Sequence, residues 1–443
     1  MKQEVIGIID VGKTNKKLLL FNRQYEVVYE WSDKLPETAD EDGFPCEDVA
    51  LLTRSVKELI DKAVKDDRFV ICALNFTSYG ASFVYINENG EPVAPLYNYL
   101  KPFPEKLQNW FYQTYGAESE MARTTASPVL GSLNSGLQVL RLKHERPEVW
   151  SQVNCALHLP QYLAFLFHQK VWSDITSIGC HTQLWNFDEH RYHNWVIVEG
   201  LDKKFGPIIP CDYAKWIDLG GRIIPCGVGL HDSSAALIPY LRSFSKPFVL
   251  VSTGTWSISL NPFNHTPLTA EELAQDCLCY LQYNGQPVKA SRLFMGRIHD
   301  EVLEKISEQF QISADELSRF YYNEEEAEIA QMNVTNIRSI EDIDFSAVSS
   351  PVSAYHLLMA WLVREQVRQL QLVLNGSDAE VIYVDGGFSR NMIFMRMLST
   401  SLKGKQVFAS EVAQATALGA ALALHDHWNA GMPVDHLIRL IPY

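Results

Sequence analysis

Residues 226–257 read CGVGLHDSSAALIPYLRSFSKPFVLVSTGTWS. The stretch sets a lone carboxylate, Asp232, after a turn containing Gly227 and Gly229, and ends an apolar run in Ser252-Thr253-Gly254-Thr255. The glycines free the backbone to turn sharply, so that Asp232 opens a helix whose apolar face is Ala235, Ala236 and Leu237. An Asp there can cap unpaired helix N–H groups, for about 1 kcal/mol, or it can be held for chemistry. Phe248-Val249-Leu250-Val251 reads as a buried strand, and the hydroxyls and N–H groups that follow suit an anion as well as they suit a hairpin turn. The spacing suggests a carboxylate at the end of one lobe and a phosphate cradle at the start of the next. The lobes are then residues 1–243 and 244–443 of an α/β protein.

Working outward, 443 residues with 47% apolar content are too many for one ordinary core and enough for two lobes. Thirty-eight basic against 53 acidic residues give a net charge of −15, which repels a polyanion, and no basic run overrides it. Nucleic acid is not an expected partner. Met1-Lys2-Gln3-Glu4 leads straight into a short apolar strand with no signal peptide, and no apolar run approaches the roughly 20 residues of a membrane span. A cytoplasmic protein, monomeric or homodimeric, is expected. The eight cysteines are scattered, and Cys277-Leu-Cys279 has neither redox nor zinc spacing, so they read as reduced and mostly buried.

At the chain start, Val5-Ile6-Gly7-Ile8-Ile9 and Leu18-Leu19-Leu20-Phe21 are strands of a hairpin whose tip is Asp10-Val11-Gly12-Lys13-Thr14-Asn15-Lys16-Lys17. The tip is a solvated turn or a phosphate site. In the second reading Thr14, Asn15 and the backbone bond phosphate oxygens, Lys17 supplies charge and Asp10 organises Mg²⁺ directly or through water. Helical spacing runs over 47–64, a buried strand over 69–74, and then Thr77-Ser78-Tyr79-Gly80-Ala81-Ser82 combines hydroxyls with an aromatic ring, which suits a sugar or an ordinary loop. Helices are expected over 105–114, 133–142 and 157–167, and over 269–312 helices with solvated faces. His190 and His193 have a spacing a metal could use but no third ligand nearby. A long helix spans 351–374. A strand over 381–384 then meets Asp385-Gly386-Gly387 and a helix that starts near Asn391, a turn that lets a flat ligand or a phosphate approach the backbone. A small-residue helix over 414–424 must pack closely against something.

DVGKTNKK, GLHDSSAA, STGTWS, and VDGGFSRN with ATALGAAL stand in this order along nearly the whole chain. Together they resemble the FGGY family of carbohydrate kinases, and HDSSAA followed by STGTWS looks most like its rhamnulokinase branch. The resemblance implies a two-lobed actin-like ATPase (ribonuclease-H-like) fold with a central cleft, each lobe built on a mixed five-stranded sheet. It implies ATP and Mg²⁺, and ATP-dependent phosphorylation of a small ketose: a deoxyketohexose such as L-rhamnulose or L-fuculose, or a pentulose. By position, Asp232 would be the general base, with His231, Ser78, Tyr79 and Gly80 near the sugar. Gly12, Lys13, Thr14, Asn15 and Lys17 would face the transferring phosphate and Asp10 would serve Mg²⁺. Thr253, Gly254 and Thr255 would form the second phosphate loop, and Gly386, Gly387 and Asn391 would hold adenosine.

Some residues depart from the family's pattern. Lys13 stands where a small or hydroxyl residue is usual, Lys17 replaces the more usual Arg, Tyr97-Asn98-Tyr99-Leu100-Lys101 replaces an acidic and Arg-bearing segment, and Leu293 replaces a polar sugar contact. These changes bear on the substrate more than on the reaction. They leave open an alternative, a nucleotide-binding regulatory or sugar-sensing protein on the same fold. A Rossmann oxidoreductase fails, because Asp10-Val11-Gly12 lacks GxGxxG and leads into a strand.

Overall fold

The structure is a computed structural model that describes residues 2–434 and 437–443. The first strand, Gln3–Val11, is buried on both faces, and its alternation decides what each side chain meets. Val5, Ile9 and Val11 share one core with Leu18 and Leu20 and with the helix Val49–Lys65. Ile6 and Ile8 share the other with Leu19, Phe21 and the helix Ala415–Ala423. By the same parity Lys16 belongs to the first face, and Asp10 and Lys17 to the second.

Each lobe is organised on a sheet that repeats one pairing scheme. In the N-terminal sheet Gln3–Val11 lies antiparallel to Lys16–Phe21, which pairs antiparallel with Val27–Asp33; on its other side Gln3–Val11 runs parallel to Phe69–Ser78, and Arg222–Gly227 runs parallel beyond that. In the C-terminal sheet Phe248–Thr253, Ser257–Asn261, Pro287–Leu293, Val381–Gly386 and Gln406–Glu411 take the same five places in the same directions. The expected five strands are thus the centre of each sheet, and edge strands enlarge both. Ala214–Leu219 and the two-residue Leu230–His231 make the first seven-stranded, and Cys277–Leu281 and Arg439–Pro442 do so for the second. The chain has the two-lobed actin-like arrangement.

The helix Asp232–Ser243 leads from the first sheet to the second. Although late in sequence, Ala415–Ala423 returns to pack on the first sheet and on Asp232–Ser243. Small residues permit this approach, since a Cβ on Gly419 would stand 1.8 Å from the carbonyl oxygen of Ala235.

Two expectations are corrected. The segment expected as helices over 269–312 contains the hairpin Cys277–Leu281 and Pro287–Leu293, and its long helix begins only at Met295. All five residues of Cys277–Leu281 are buried, so no alternation marked the strand, although Gly285 at φ +80 turns the hairpin as Asn-Gly signals do. The aromatic helix expected over 157–167 is Leu159–His168, because Leu157 and His158 end the strand Cys155–His158. The acidic segment Glu324-Glu325-Glu326-Ala327-Glu328 opens the helix Glu324–Val334, with Glu324, Glu325 and Glu328 exposed. No helix among the described residues is long and apolar enough to cross a membrane.

Substituting Gly419→Val forces the two helices apart, and overpacking of this kind costs about 1–3 kcal/mol or more. The melting midpoint is expected to fall by several degrees; an unchanged midpoint in a calorimetric scan would contradict the close contact.

Candidate active site

The two-residue strand Leu230–His231 pairs with Thr77 and Ser78, which sets His231 and Asp232 beside the Ser78–Gly80 segment. The fit is tight: a Cβ on Gly80 would lie 2.7 Å from the His231 ring. Burial lowers the His231 pKa to about 4, so the ring is neutral, and its Nδ1 is buried without a hydrogen-bond partner among the described residues. Cys180 Sγ lies 3.4 Å from its Nε2, and Asp232 Oδ1 lies 3.3 Å from the same nitrogen. Ser78 is fully buried and its hydroxyl donates to the Tyr79 carbonyl, 3.0 Å away. Tyr79 donates its phenol to Glu47 and stands 5.9 Å, ring to ring, from Tyr99.

Asp232 is the first residue of its helix, and the cap position is His231. Its Oδ1 accepts from Ser233 N, the second N–H of the helix, at 2.6 Å and from Ser233 Oγ at 3.2 Å. The side chain is 32% exposed, yet its crowded surroundings desolvate it and raise its pKa to about 6 against the pull of the Ser233 bonds. Asp10 is close enough to feel that charge. Burial first raises Asp10 to about 6; the Thr416 hydroxyl, which donates to Oδ2 at 2.7 Å, opposes this, Asp232 adds to it and Lys17 opposes it. Two neighbouring carboxylates with few donors lack positive charge, and a divalent cation fits that deficit. Among the described residues no group of three His, Cys, Asp or Glu forms a cage, so phosphate oxygens and water would complete the shell, as Mg²⁺ prefers.

The first hairpin tip closes by Gly12 N donating to Asn15 O, with Thr14 and Asn15 exposed. Lys17 stands opposite Asp10 in the ladder, donates to Gln414 at 3.1 Å and pairs with Glu30 at 3.2 Å. Lys13 pairs with Glu37 at 2.9 Å. Lys16, which sequence reasoning passed over, is the buried lysine of the tip and reaches Glu47 at 3.0 Å. Its parity with Leu18 and Leu20 was the signal.

In the second lobe Thr253 is turned inward: its hydroxyl donates to the Asp385 carbonyl and accepts from Phe388 N. Gly386, at φ +91, lets these strands meet, since a Cβ there would stand 1.9 Å from the Thr253 carbonyl oxygen. Gly254, Thr255, Gly387 and Asn391 line an open pocket of ≈ 890 Å³, together with Gly296, His299, Asp300, Ser318, Tyr355 and Arg390, which the sequence did not single out. Asn391 caps its helix by accepting from Phe394 N at 3.0 Å and donates to Tyr355 at 2.7 Å. His193, one of the two histidines with metal-like spacing, accepts from Trp195 N as a helix cap.

Two family models match the chain: the N-terminal domain of the FGGY family of carbohydrate kinases over residues 5–202, and the carbohydrate kinase FGGY C-terminal domain over residues 245–333. A rhamnulokinase of Klebsiella pneumoniae is 24% identical over 275 residues, a match covering 58% of this chain and 54% of that protein. The chain thus spans about half the length of the curated relatives it matches. The fold is similar to that of a carbohydrate kinase from Novosphingobium aromaticivorans (TM-score 0.80, 20% identity, 98% of this chain and 95% of that one). A xylulose kinase from Lactobacillus acidophilus gives 0.76 at 15% identity over 99% and 93% of the chains, and a Plasmodium falciparum glycerol kinase with ADP gives 0.75 at 15% over 98% and 91%. By both of its lobes, the chain belongs to the FGGY family of carbohydrate kinases.

Proposed function

We propose that this chain phosphorylates a small ketose with ATP, Asp232 acting as general base. What carries the reading is the pair Asp10 and Asp232, two carboxylates raised to about 6 where the first hairpin meets the starts of two helices. An alcohol is a poor nucleophile until its proton is taken, and a positioned base contributes about 10²- to 10⁴-fold. The ketose hydroxyl bonds to the terminal phosphorus as the bond to the ADP oxygen breaks, and Asp232 receives the hydroxyl proton. Mg²⁺, held by Asp10 directly or through water, would supply neutralisation of phosphate charge. Thr14 and Asn15, on the loop that the Gly12 N–H closes, hold the transferring group on one side, and the Gly254-Thr255 turn supports it on the other. Oriented donors of this kind are most of what phosphoryl transfer asks of a protein. The second-lobe pocket at Gly387 and Asn391 takes the nucleoside. Tyr79, Gly80, His231 and Tyr99 form the sugar side, and the relation to rhamnulokinases favours a deoxyketohexose such as L-rhamnulose or L-fuculose over a pentulose.

The test is a panel of ketoses assayed for ATP-dependent ADP release. Saturable release with one of them is expected; nucleotide binding without turnover across the panel would favour a sugar-sensing protein instead. Replacing Asp232→Asn is expected to leave nucleotide affinity within about twofold and to lower phosphorylation by about 10²-fold or more. An Asn variant with the parent rate would remove Asp232 from the role.

The base works only when ionised, so kcat/KM for the sugar is expected to rise with pH through about 6 and to level off above it. Asp10 titrates in the same range, so the midpoint belongs to the pair. A profile that stays flat down to pH ~5 would contradict a base of this kind.

A further inference from the structure

Lys13 has no phosphate-independent reason to be at the hairpin tip until the ribbon beside it is considered. Glu37–Ala39 and Pro45–Glu47 pair antiparallel, with Glu37 directly opposite Glu47. Like charges in that register repel. Both are compensated from the phosphate loop: Lys13 Nζ is 2.9 Å from Glu37 Oε1 and 3.8 Å from Glu47 Oε1, and Lys16 Nζ is 3.0 Å from Glu47 Oε1. The Lys16 ammonium also donates to the carbonyls of Gly12, at 3.1 Å, and Lys13, at 3.2 Å, and so holds the loop backbone itself.

The same Glu47 oxygen accepts the Tyr79 hydroxyl at 3.1 Å. Lys16 is 4%, Glu47 7% and Tyr79 8% exposed, so the three form one buried unit in which each charge depends on the other. Tyr79 precedes Gly80 in the sugar wall and faces Tyr99. The second Glu47 oxygen, Oε2, is buried and has no partner among the described residues, so the carboxylate's anchorage rests on Oε1 alone. The two lysines differ in freedom: the Lys13 side chain is 25% exposed and that of Lys16 5%.

We propose that Glu47 is a positioning residue through which the sugar wall sets the phosphate loop. Tyr79 fixes the carboxylate, the carboxylate fixes Lys16, and Lys16 holds the Gly12 and Lys13 carbonyls so that the loop keeps one shape. Lys13 is the movable member, which exchanges Glu37 for a phosphate oxygen when nucleotide arrives. This rests on the reading of the hairpin as the phosphate loop given above.

The test titrates the full-length protein with Mg²⁺ and a non-hydrolysable ATP analogue in a calorimeter. Glu47→Gln keeps the shape and removes the charge; it is expected to weaken nucleotide affinity about tenfold, and Lys16→Met to do the same, with the double variant no worse than either alone. Tyr79→Phe removes only a hydroxyl on the sugar side and is expected to weaken nucleotide affinity about threefold, which a merely structural role in the sugar wall would not do. Affinities within twofold of the parent in Glu47→Gln and Tyr79→Phe would overturn the proposal. If Glu47→Gln does not fold, Tyr79→Phe alone decides. A parent protein that binds nucleotide but phosphorylates no ketose would defeat the proposed activity and leave this titration decisive, whereas a parent that binds no nucleotide would defeat both.

Discussion

The contact on which the rest depends is the crossing of two helices, Asp232–Ser243 and Ala415–Ala423, at a place where only the hydrogen of Gly419 separates one backbone from the other. Their N-terminal ends come together at Asp10. Asp232 begins one helix and acts on Asp10 electrostatically, and Thr416 in the first turn of the other donates to it. Gln414, the cap residue of that second helix, accepts from Lys17. Two helix starts converging on one point add N–H groups and the positive ends of two helix dipoles to a carboxylate pair that is otherwise short of positive charge, in a chain of net charge −15. A larger residue at 419 would therefore disturb the site and the packing at once.

The electrostatics of that point follow from crowding more than from any partner. Asp10 and Asp232 have few donors, so desolvation dominates and both hold protons more tightly than free carboxylates. A base with a pKa near 6 accepts a hydroxyl proton more readily than one near 4 and is still ionised at neutral pH. The lysines of the hairpin tip behave in the opposite way: each is matched to a glutamate, Lys13 with Glu37, Lys16 with Glu47 and Lys17 with Glu30. The tip is therefore less basic than its composition suggests, and its shape matters more than its net charge.

The sequence made the architecture legible where hydrophobic runs met turn residues. The strand ending at Asp10, the strand running into Ser252-Thr253-Gly254, the turn at Gly386-Gly387 and the long helix Pro351–Leu374 all carry such punctuation, and the fold has them at those places. It was illegible where burial removed alternation, as in Cys277–Leu281, which is covered on both faces and read as helix. At the site, residue types marked the segments but not the direction of side chains. Thr253 and Thr255 read alike, yet one hydroxyl stitches two strands together and the other residue lines a pocket. Among three lysines in five residues, Lys16 was passed over although its parity with Leu18 and Leu20 marks it as the buried one, and its partner Glu47 lies 31 positions away, where no local pattern reaches.

The most direct measurement is a crystal structure of the protein with a ketose and a Mg²⁺ complex of a non-hydrolysable ATP analogue bound together. The Asp232 carboxylate is expected within about 2.6–3.2 Å of the sugar hydroxyl that faces the terminal phosphorus, with Asp10 on the metal side and the phosphates against the two helix starts. A sugar bound elsewhere, with Asp232 still held only by Ser233, would contradict the assignment of this cleft as the place of reaction.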